Sequence, residues 1–268
     1  MIIIAKIKND KYYTSKELAK YCIDKTYSII GEDNISEAIE PSAGSGSFSL
    51  QIPTACWAYD IDPEHENIVK TDFLELDVNY LWGRLIIGNP PYGRCLNMAQ
   101  KFFKKSVLIS DYIAFILPIS QLNNTNSFYE FDLIHSEDLG KQIYTDRELH
   151  CCFNIYQRPI NGELNKKKPN NLKDITIVRQ DSKIYDDLHD YDLRMCYWGD
   201  GSAGKILKEG EKYSGEYKII INNKNLKQKI IKTIEEYNWK KYMNKIAMRK
   251  IQQFHIIDIL KEKIPEIE

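Results

Sequence analysis

The chain carries almost no net charge: 37 Lys and Arg against 38 Asp and Glu leave a formal −1 over 268 residues. That balance excludes an overall basic field of the kind that holds nucleic acid nonspecifically, so any such surface must be local. Cysteine is sparse and scattered. Cys22, Cys56, Cys95, Cys151, Cys152 and Cys196 form no Cys-x-x-Cys pair, which argues against a zinc site and against a disulfide scaffold. Free thiols spread this way suit a reducing cytosol, and a soluble cytoplasmic protein is expected. No apolar run approaches transmembrane length, and Met1-Ile2-Ile3-Ile4 is too short for a signal segment and is soon followed by Lys6 and Lys8. Internal repeats and low-complexity linkers are also missing. Hydrophobic and charged contents of 43% and 28% are those of an ordinary globular protein, long enough for one large or two small domains.

What is present converges on Leu85-Ile86-Ile87-Gly88-Asn89-Pro90-Pro91-Tyr92. The apolar run reads as a short strand buried on both faces. Pro90 and Pro91 lack backbone N–H groups and have fixed φ, so the strand stops there, and Asn89 is held extended by the proline after it. A rigid tip results, presenting the Asn89 amide, the Pro90 carbonyl and the Tyr92 ring. Two acceptors and a flat stacking surface suit a planar base bearing an exocyclic amino group.

Residues 11–30 read as a capped amphipathic helix, with Thr14 or Ser15 as N-cap and Glu17 placed to complete a capping box from Thr14. Leu18, Cys22, Ile23, Thr26 and Ile30 give its buried stripe. Ala38-Ile39-Glu40 reads as a strand entering the small-residue loop Pro41-Ser42-Ala43-Gly44-Ser45-Gly46-Ser47-Phe48, where a ligand can approach the backbone closely. A second strand, Ala55 to Tyr59, ends in Asp60-Ile61-Asp62-Pro63, an acid placed where nucleotide-binding folds hold ribose hydroxyls. The gap from the glycines is short, implying a trimmed helix between them. Ile68-Val69 reads as a third strand, followed by Asp72-Phe73, either a polar loop or an adenine contact. Arg84 to Gly88 is the fourth. In open α/β sheets ligands bind outside the carboxyl ends of the strands, so these pieces are expected at one edge.

Asn97 to Ser110 follows helical spacing; Tyr112 to Leu117, Glu148 to Gln157 and Ile175 to Arg179 read as further strands. The loop Lys166-Lys167-Lys168 is either solvated or lies along phosphates. From about residue 182 the composition shifts. An acidic stretch (Asp181, Asp186, Asp187, Asp190, Asp192) precedes a run of Lys224, Lys227, Lys229, Lys232, Lys240, Lys241, Lys245, Arg249 and Lys250, with Tyr237, Trp239 and Tyr242 among them. Basic residues interleaved with aromatics suit a nucleic-acid backbone plus stacking; a solvated helical surface is the bland alternative.

Taken in order, Tyr12-Tyr13-Thr14-Ser15, Glu40-Pro41-Ser42-Ala43-Gly44-Ser45-Gly46-Ser47-Phe48, Tyr59-Asp60-Ile61-Asp62-Pro63, Asp72-Phe73 and Asn89-Pro90-Pro91-Tyr92 resemble the amino-type DNA methyltransferases that modify adenine N6 using S-adenosylmethionine, with the gamma order of motifs. The resemblance covers about the first 180 residues. It implies an α/β fold with a doubly wound, Rossmann-like, mostly parallel sheet ending in an antiparallel hairpin. Residues 1–180 would be the catalytic domain and 181–268 a small target-recognition region. Tyr13, Thr14, Glu40, Pro41, Gly44, Gly46, Asp60, Ile61, Asp72, Phe73 and Asn89 would line the cofactor. Asn89, Pro90 and Tyr92 would grip the target base, with Phe153, or in reserve Tyr156, on its other face. Lys240 and Lys241 would contact the DNA backbone. Glu40 departs from the Asp often found there but keeps the charge. No metal is implied, double-stranded DNA is the implied partner, and a cognate restriction enzyme would be a further one. Structured RNA, a protein glutamine and a non-catalytic cofactor- or DNA-binding subunit are the rival readings; the few residues before Glu40 weigh against the glutamine enzymes.

Overall fold

The computed structural model describes residues 13–144, 147–181, 190–199, 201–211, 213, 215–242 and 250–268. The chain forms two compact units, Met1–Lys167 and Lys168–Glu268. The division falls after Lys167, where the resemblance implies a boundary at 180. Tyr12, Asp186, Asp187, Lys245 and Arg249, singled out in the sequence, lie outside the described residues.

The first unit is built on a seven-stranded sheet. In chain order its strands are β1 (Glu37–Glu40), β2 (Cys56–Asp60), β3 (Val69–Lys70), β4 (Arg84–Gly88), β5 (Tyr112–Pro118), β6 (Asp132–Tyr144) and β7 (Arg147–Gln157). The spatial order is β3-β2-β1-β4-β5-β7-β6. Strands β1 to β5 run parallel, and β7 is antiparallel to both β5 and β6. The mostly parallel α/β sheet expected from the sequence is present, and its carboxyl edge carries the ends of β1, β2, β3, β4 and β5 together. Chain order reverses between β1 and β4, the crevice where such sheets take ligands.

Helix α1 (Lys16–Ile30) covers one face. Ala19, Cys22 and Ile23 join Ala38, Leu85, Ile87, Ala114, Ile116, Phe153 and Ile155 in one core cluster. Helix α2 (Asn97–Ile109) covers the other, where Phe103 meets Phe128 and Tyr156 with ring centroids 5.0 Å apart in both pairs. Strand β4 is buried at every position, as its apolar run Leu85-Ile86-Ile87 requires, and its first residue, Arg84, is buried with it. At the amino edge, Asp111 accepts from the Gly83 N–H (2.7 Å), the Tyr80 hydroxyl (2.8 Å) and Arg158 Nε (3.0 Å), tying the strand starts together.

Two features differ from the sequence reading. The antiparallel partner of β7 beyond β5 is β6, a strand that the sequence pattern does not predict. Strand β6 sits at the sheet edge, mixes charged and apolar residues, and shifts register at Leu133/His135 and Asp138/Gly140, so alternation is broken. Residues 175–181 instead form β8 (Ile175–Asp181) of the second unit, in an antiparallel sheet ordered β8-β10-β9 with β9 (Leu193–Cys196) and β10 (Gly215–Ile221). Helices α3 (Lys227–Glu236) and α4 (Gln253–Lys263) supply Ile230, Ile234, Ile256, Ile257 and Leu260 to its core. No helix among the described residues is long and apolar enough to cross a membrane.

Candidate active site

The first four strand ends each deliver one polar group to the carboxyl edge. Glu40 closes β1, Asp60 closes β2, Asp72 follows β3, and Asn89 follows β4. Together with Tyr13, Thr14, Pro41, Gly44, Ile61 and Phe73 they line a single cleft. Ten of the cofactor residues expected from the sequence therefore meet there; Gly46 does not line it, and neither does Pro90, which is buried. Gly46 shapes the loop from beneath, with φ +84° and its N–H donating to the Ala43 carbonyl at 2.7 Å. Gly44 (φ +52°) also needs a glycine for its backbone conformation.

The loop is held by the acids around it. Asp60 Oδ2 accepts from the Gly44 N–H and Oδ1 from the Asp62 N–H, both at 2.8 Å. Glu40 is 2% exposed, and its Oε2 accepts from the Ser49 N–H at 2.7 Å. Burial pushes the Glu40 carboxyl up to about 8, against the hydrogen bonds from Ser49 and Phe48 that favour its ionised form, and nearby Asp60 pushes the same way as burial. The residues between β1 and β2 make only turns, consistent with the trimmed helix expected.

Thr14 and Ser15 divide the work that the sequence left open. Ser15 is the N-cap of α1, its hydroxyl accepting from the Leu18 N–H at 3.1 Å, so the capping box from Thr14 does not form. Thr14 faces the cleft and accepts from Asn89 Nδ2 at 3.3 Å. Ser47 donates to the Thr14 carbonyl (2.7 Å) and Ser42 to the Asn89 carbonyl (3.2 Å), knitting three distant segments into one rim. At the far end, Asp72 accepts from the Leu74 N–H (2.9 Å) and caps the turn that carries Phe73. Phe73 packs against Phe102 at 5.3 Å, giving a flat apolar end wall. Phe102 and Met98 also line the cleft; their helical spacing on α2 made them read as core.

Tyr92 is turned away from this cleft into a neighbouring groove lined by Gly93, Arg94, Cys95, Leu96, Pro118, Ser120, Leu149 and His150. Its hydroxyl lies 3.8 Å from Cys151 Sγ. The lip is strained: Cys95 (φ +53°) and Leu96 (φ +65°) sit in the left-handed region, at a cost of roughly 1–3 kcal/mol each. His150 Nε2 pairs with Asp138 Oδ1 at 2.6 Å, which orients the imidazole. Phe153 and Tyr156, the expected second stacking partners, are both fully buried. Phe153 belongs to the core beneath α1, while Tyr156 packs on Phe103 and its hydroxyl accepts from Asn154 Nδ2 (2.9 Å). Neither reaches the groove; Leu149 and His150, nearer the start of β7, do.

In the second unit, Trp239 is buried and its Nε1 donates to the Ile234 carbonyl at 2.8 Å, so it is a core residue and not a base-stacking one. Lys227 pairs with Asp192 and Lys229 with Glu266, both at 2.5 Å. Lys168 pairs with Asp258 at 2.7 Å. Lys240 is exposed; the side chain of Lys241 lies outside those described.

No family model and no curated protein matches the chain. Among solved structures it is similar to an RNA methyltransferase candidate from Pyrococcus horikoshii, at 17% identity over 59% of this chain and 91% of that one, with a TM-score of 0.47. It is similar to a candidate class I S-adenosylmethionine-dependent methyltransferase from Listeria monocytogenes, at 9% identity over 60% and 66% of the two chains (TM-score 0.47). A third likeness, to the methyltransferase subunit of a type I restriction-modification system from Streptococcus thermophilus, spans 97% of this chain and 60% of that one, at 13% identity and a TM-score of 0.42.

Proposed function

We propose that the chain transfers a methyl group from S-adenosylmethionine to the exocyclic N6 of adenine in DNA. The observation that carries this reading is the meeting of Thr14, Glu40, Asp60, Asp72, Phe73 and Asn89 in one cleft at the strand ends, beside the Tyr92 groove. The lining fits the cofactor chemically. It holds three carboxyl groups, Glu40, Asp60 and Asp72, and no Lys, Arg or His among the described residues, which suits a ligand with positive charge. Its Phe73–Phe102 wall suits a flat ring.

Thr14 and the start of α1 would hold the methionine end, Asp60 the ribose through its remaining lone pairs, and Asp72 with Phe73 the adenine. When bound, the cofactor supplies a methyl group activated on a sulfonium sulfur. Asn89 Oδ1 and the Pro90 carbonyl accept the two amino hydrogens of the target base, which localises the nitrogen lone pair. The Thr14 hydroxyl takes the other end of the Asn89 amide, so the side-chain oxygen is directed away from Thr14. Orientation of this kind is worth ~7–11 kcal/mol of barrier. Extruding the base from a duplex costs a few kcal/mol, and stacking on Tyr92, at ~1–3 kcal/mol per base, offsets much of that. The buried positions of Phe153 and Tyr156 leave His150 as the ring that faces Tyr92's groove. Lys240, on the second unit, would contact phosphates.

The test is a transfer assay with tritiated S-adenosylmethionine on duplex DNA, structured RNA and denatured protein, followed by digestion and identification of the labelled product. Label in N6-methyldeoxyadenosine, lost in Asn89→Ala while the cofactor still binds, is expected. Label in RNA or on glutamine alone would refute the DNA assignment.

A further inference from the structure

Glu40 has a place in the cleft that its companions do not share. Asp60, like Glu40, accepts from backbone N–H groups of the loop, and Asp72 stands at the rim capping a turn; Glu40 is the deepest of the three, 2% exposed. Glu40 lies at the floor, and its side chain passes directly under the catalytic tip: a Cβ added to Gly88, the residue before Asn89, would stand 3.6 Å from Glu40 Cγ. Glu40 and Asn89 line the same cleft. The titratable groups facing it are the Asp60 carboxylate at the end of β2 and the Cys56 thiol at its start. The Asp60 carboxylate disfavours a second negative charge beside it, the Cys56 thiol, pushed up by burial, stays neutral, and no cationic side chain among the described lining residues relieves Glu40.

We propose that Glu40 is the residue by which the cleft tells the cationic methyl donor from its neutral thioether product. With the cleft free of ligand, the Glu40 carboxyl keeps its proton near neutral pH. The donor's sulfonium, brought to the tip, takes the place of that proton as the compensating positive charge, and the proton leaves to solvent. After transfer the sulfur is a neutral thioether, the positive charge is gone, and Glu40 recovers a proton from solvent. The retained product then faces a neutral floor and is held more weakly. This inference rests on reading the cleft as the cofactor site. It goes further by assigning donor-over-product preference to one side chain, on the ground of its burial at the cleft floor beneath Gly88, beside Asp60 and away from any cation of the described lining, and the raised Glu40 titration agrees.

Titration calorimetry of the full chain with S-adenosylmethionine and with S-adenosylhomocysteine, in two buffers of different ionisation enthalpy, counts the protons directly. Close to one proton should be released per donor bound at pH 7 and close to none per thioether. Donor affinity should accordingly rise about tenfold per pH unit between pH 6 and 7, by linkage. Glu40→Gln, which keeps an acceptor for the Ser49 N–H, should abolish the release and bring the two affinities together. Equal release with both ligands would overturn the proposal and place Glu40 beside the amino group they share. Donor binding without release would overturn it and leave the cofactor reading standing. Absence of donor binding would overturn both.

Discussion

Thr14→Val tests the link between the N-terminal segment and the Asn89 tip proposed to hold the target base. The substitution keeps the size of the side chain and the Thr14 carbonyl that Ser47 holds at 2.7 Å, and removes only the oxygen accepting from Asn89 Nδ2 at 3.3 Å. The Asn89 amide then loses that acceptor, a loss of ~1–3 kcal/mol where water cannot take its place. The amide can recover by turning over, but this points its nitrogen where the target amino group needs an acceptor. Either way the competent orientation is depleted, and at ~1.36 kcal/mol per decade kcat should fall roughly 5- to 150-fold. Donor Kd should change far less, because Thr14 is one of many lining groups. Thr14→Ser restores the acceptor and should recover most of the rate. Single-turnover methylation of an adenine-containing duplex, with donor Kd from calorimetry, separates the two quantities. A Thr14→Val enzyme within twofold of wild type in kcat would refute the reasoning, as would a Thr14→Ser enzyme as slow as the valine variant.

Tyr92→Ala and His150→Ala should each weaken retention of an extruded base by ~1–3 kcal/mol, read from 2-aminopurine fluorescence at the target position. Loss of signal in Phe153→Leu with none in His150→Ala would return the stacking role to the buried ring. Arg158→Met strands the half-buried network around Asp111 at the opposite edge of the sheet and should cost about 3–5 kcal/mol of stability in denaturant, with donor Kd within threefold; a large change in Kd would contradict the separation of edge and cleft. His255, buried with its Nδ1 accepting from the Gln252 N–H, is pushed down to about 4 by burial, with Asp258 opposing and Lys168 reinforcing. The folded state binds fewer protons there, so its contribution, about 3 kcal/mol at ~1.36 per unit, is present above the ordinary histidine range and lost as pH falls toward 4. Hydrogen exchange of α4 amides, corrected for intrinsic rate, should report that loss below pH 6.5 in the wild type and a flatter response in His255→Gln. Lys240→Ala should reduce the salt dependence of DNA binding; an unchanged slope would leave Lys240 on a solvated face.

Much of this was legible along the chain because local chemistry decides it. An unbroken apolar run stopped by two prolines makes a buried strand with a stiff tip wherever it lies, and Arg84–Gly88 forms as read. Acids and glycines following short strands gather at one edge because parallel strands share a carboxyl side, so Glu40, Asp60, Asp72 and Asn89 meet without being near in sequence. Tertiary structure alone settled the choices between equivalent neighbours. Thr14 and Ser15 are equally good caps, and only the position of Asn89 frees Thr14 for the cleft. Phe153 and His150 lie on one strand, but burial depends on how far β7 runs past β5 and on what α1 covers, which no local pattern encodes. Strand β6 escaped notice because an edge strand with broken register lacks the alternation that a buried face imposes, and its pairing with β7 is a long-range property of the sheet.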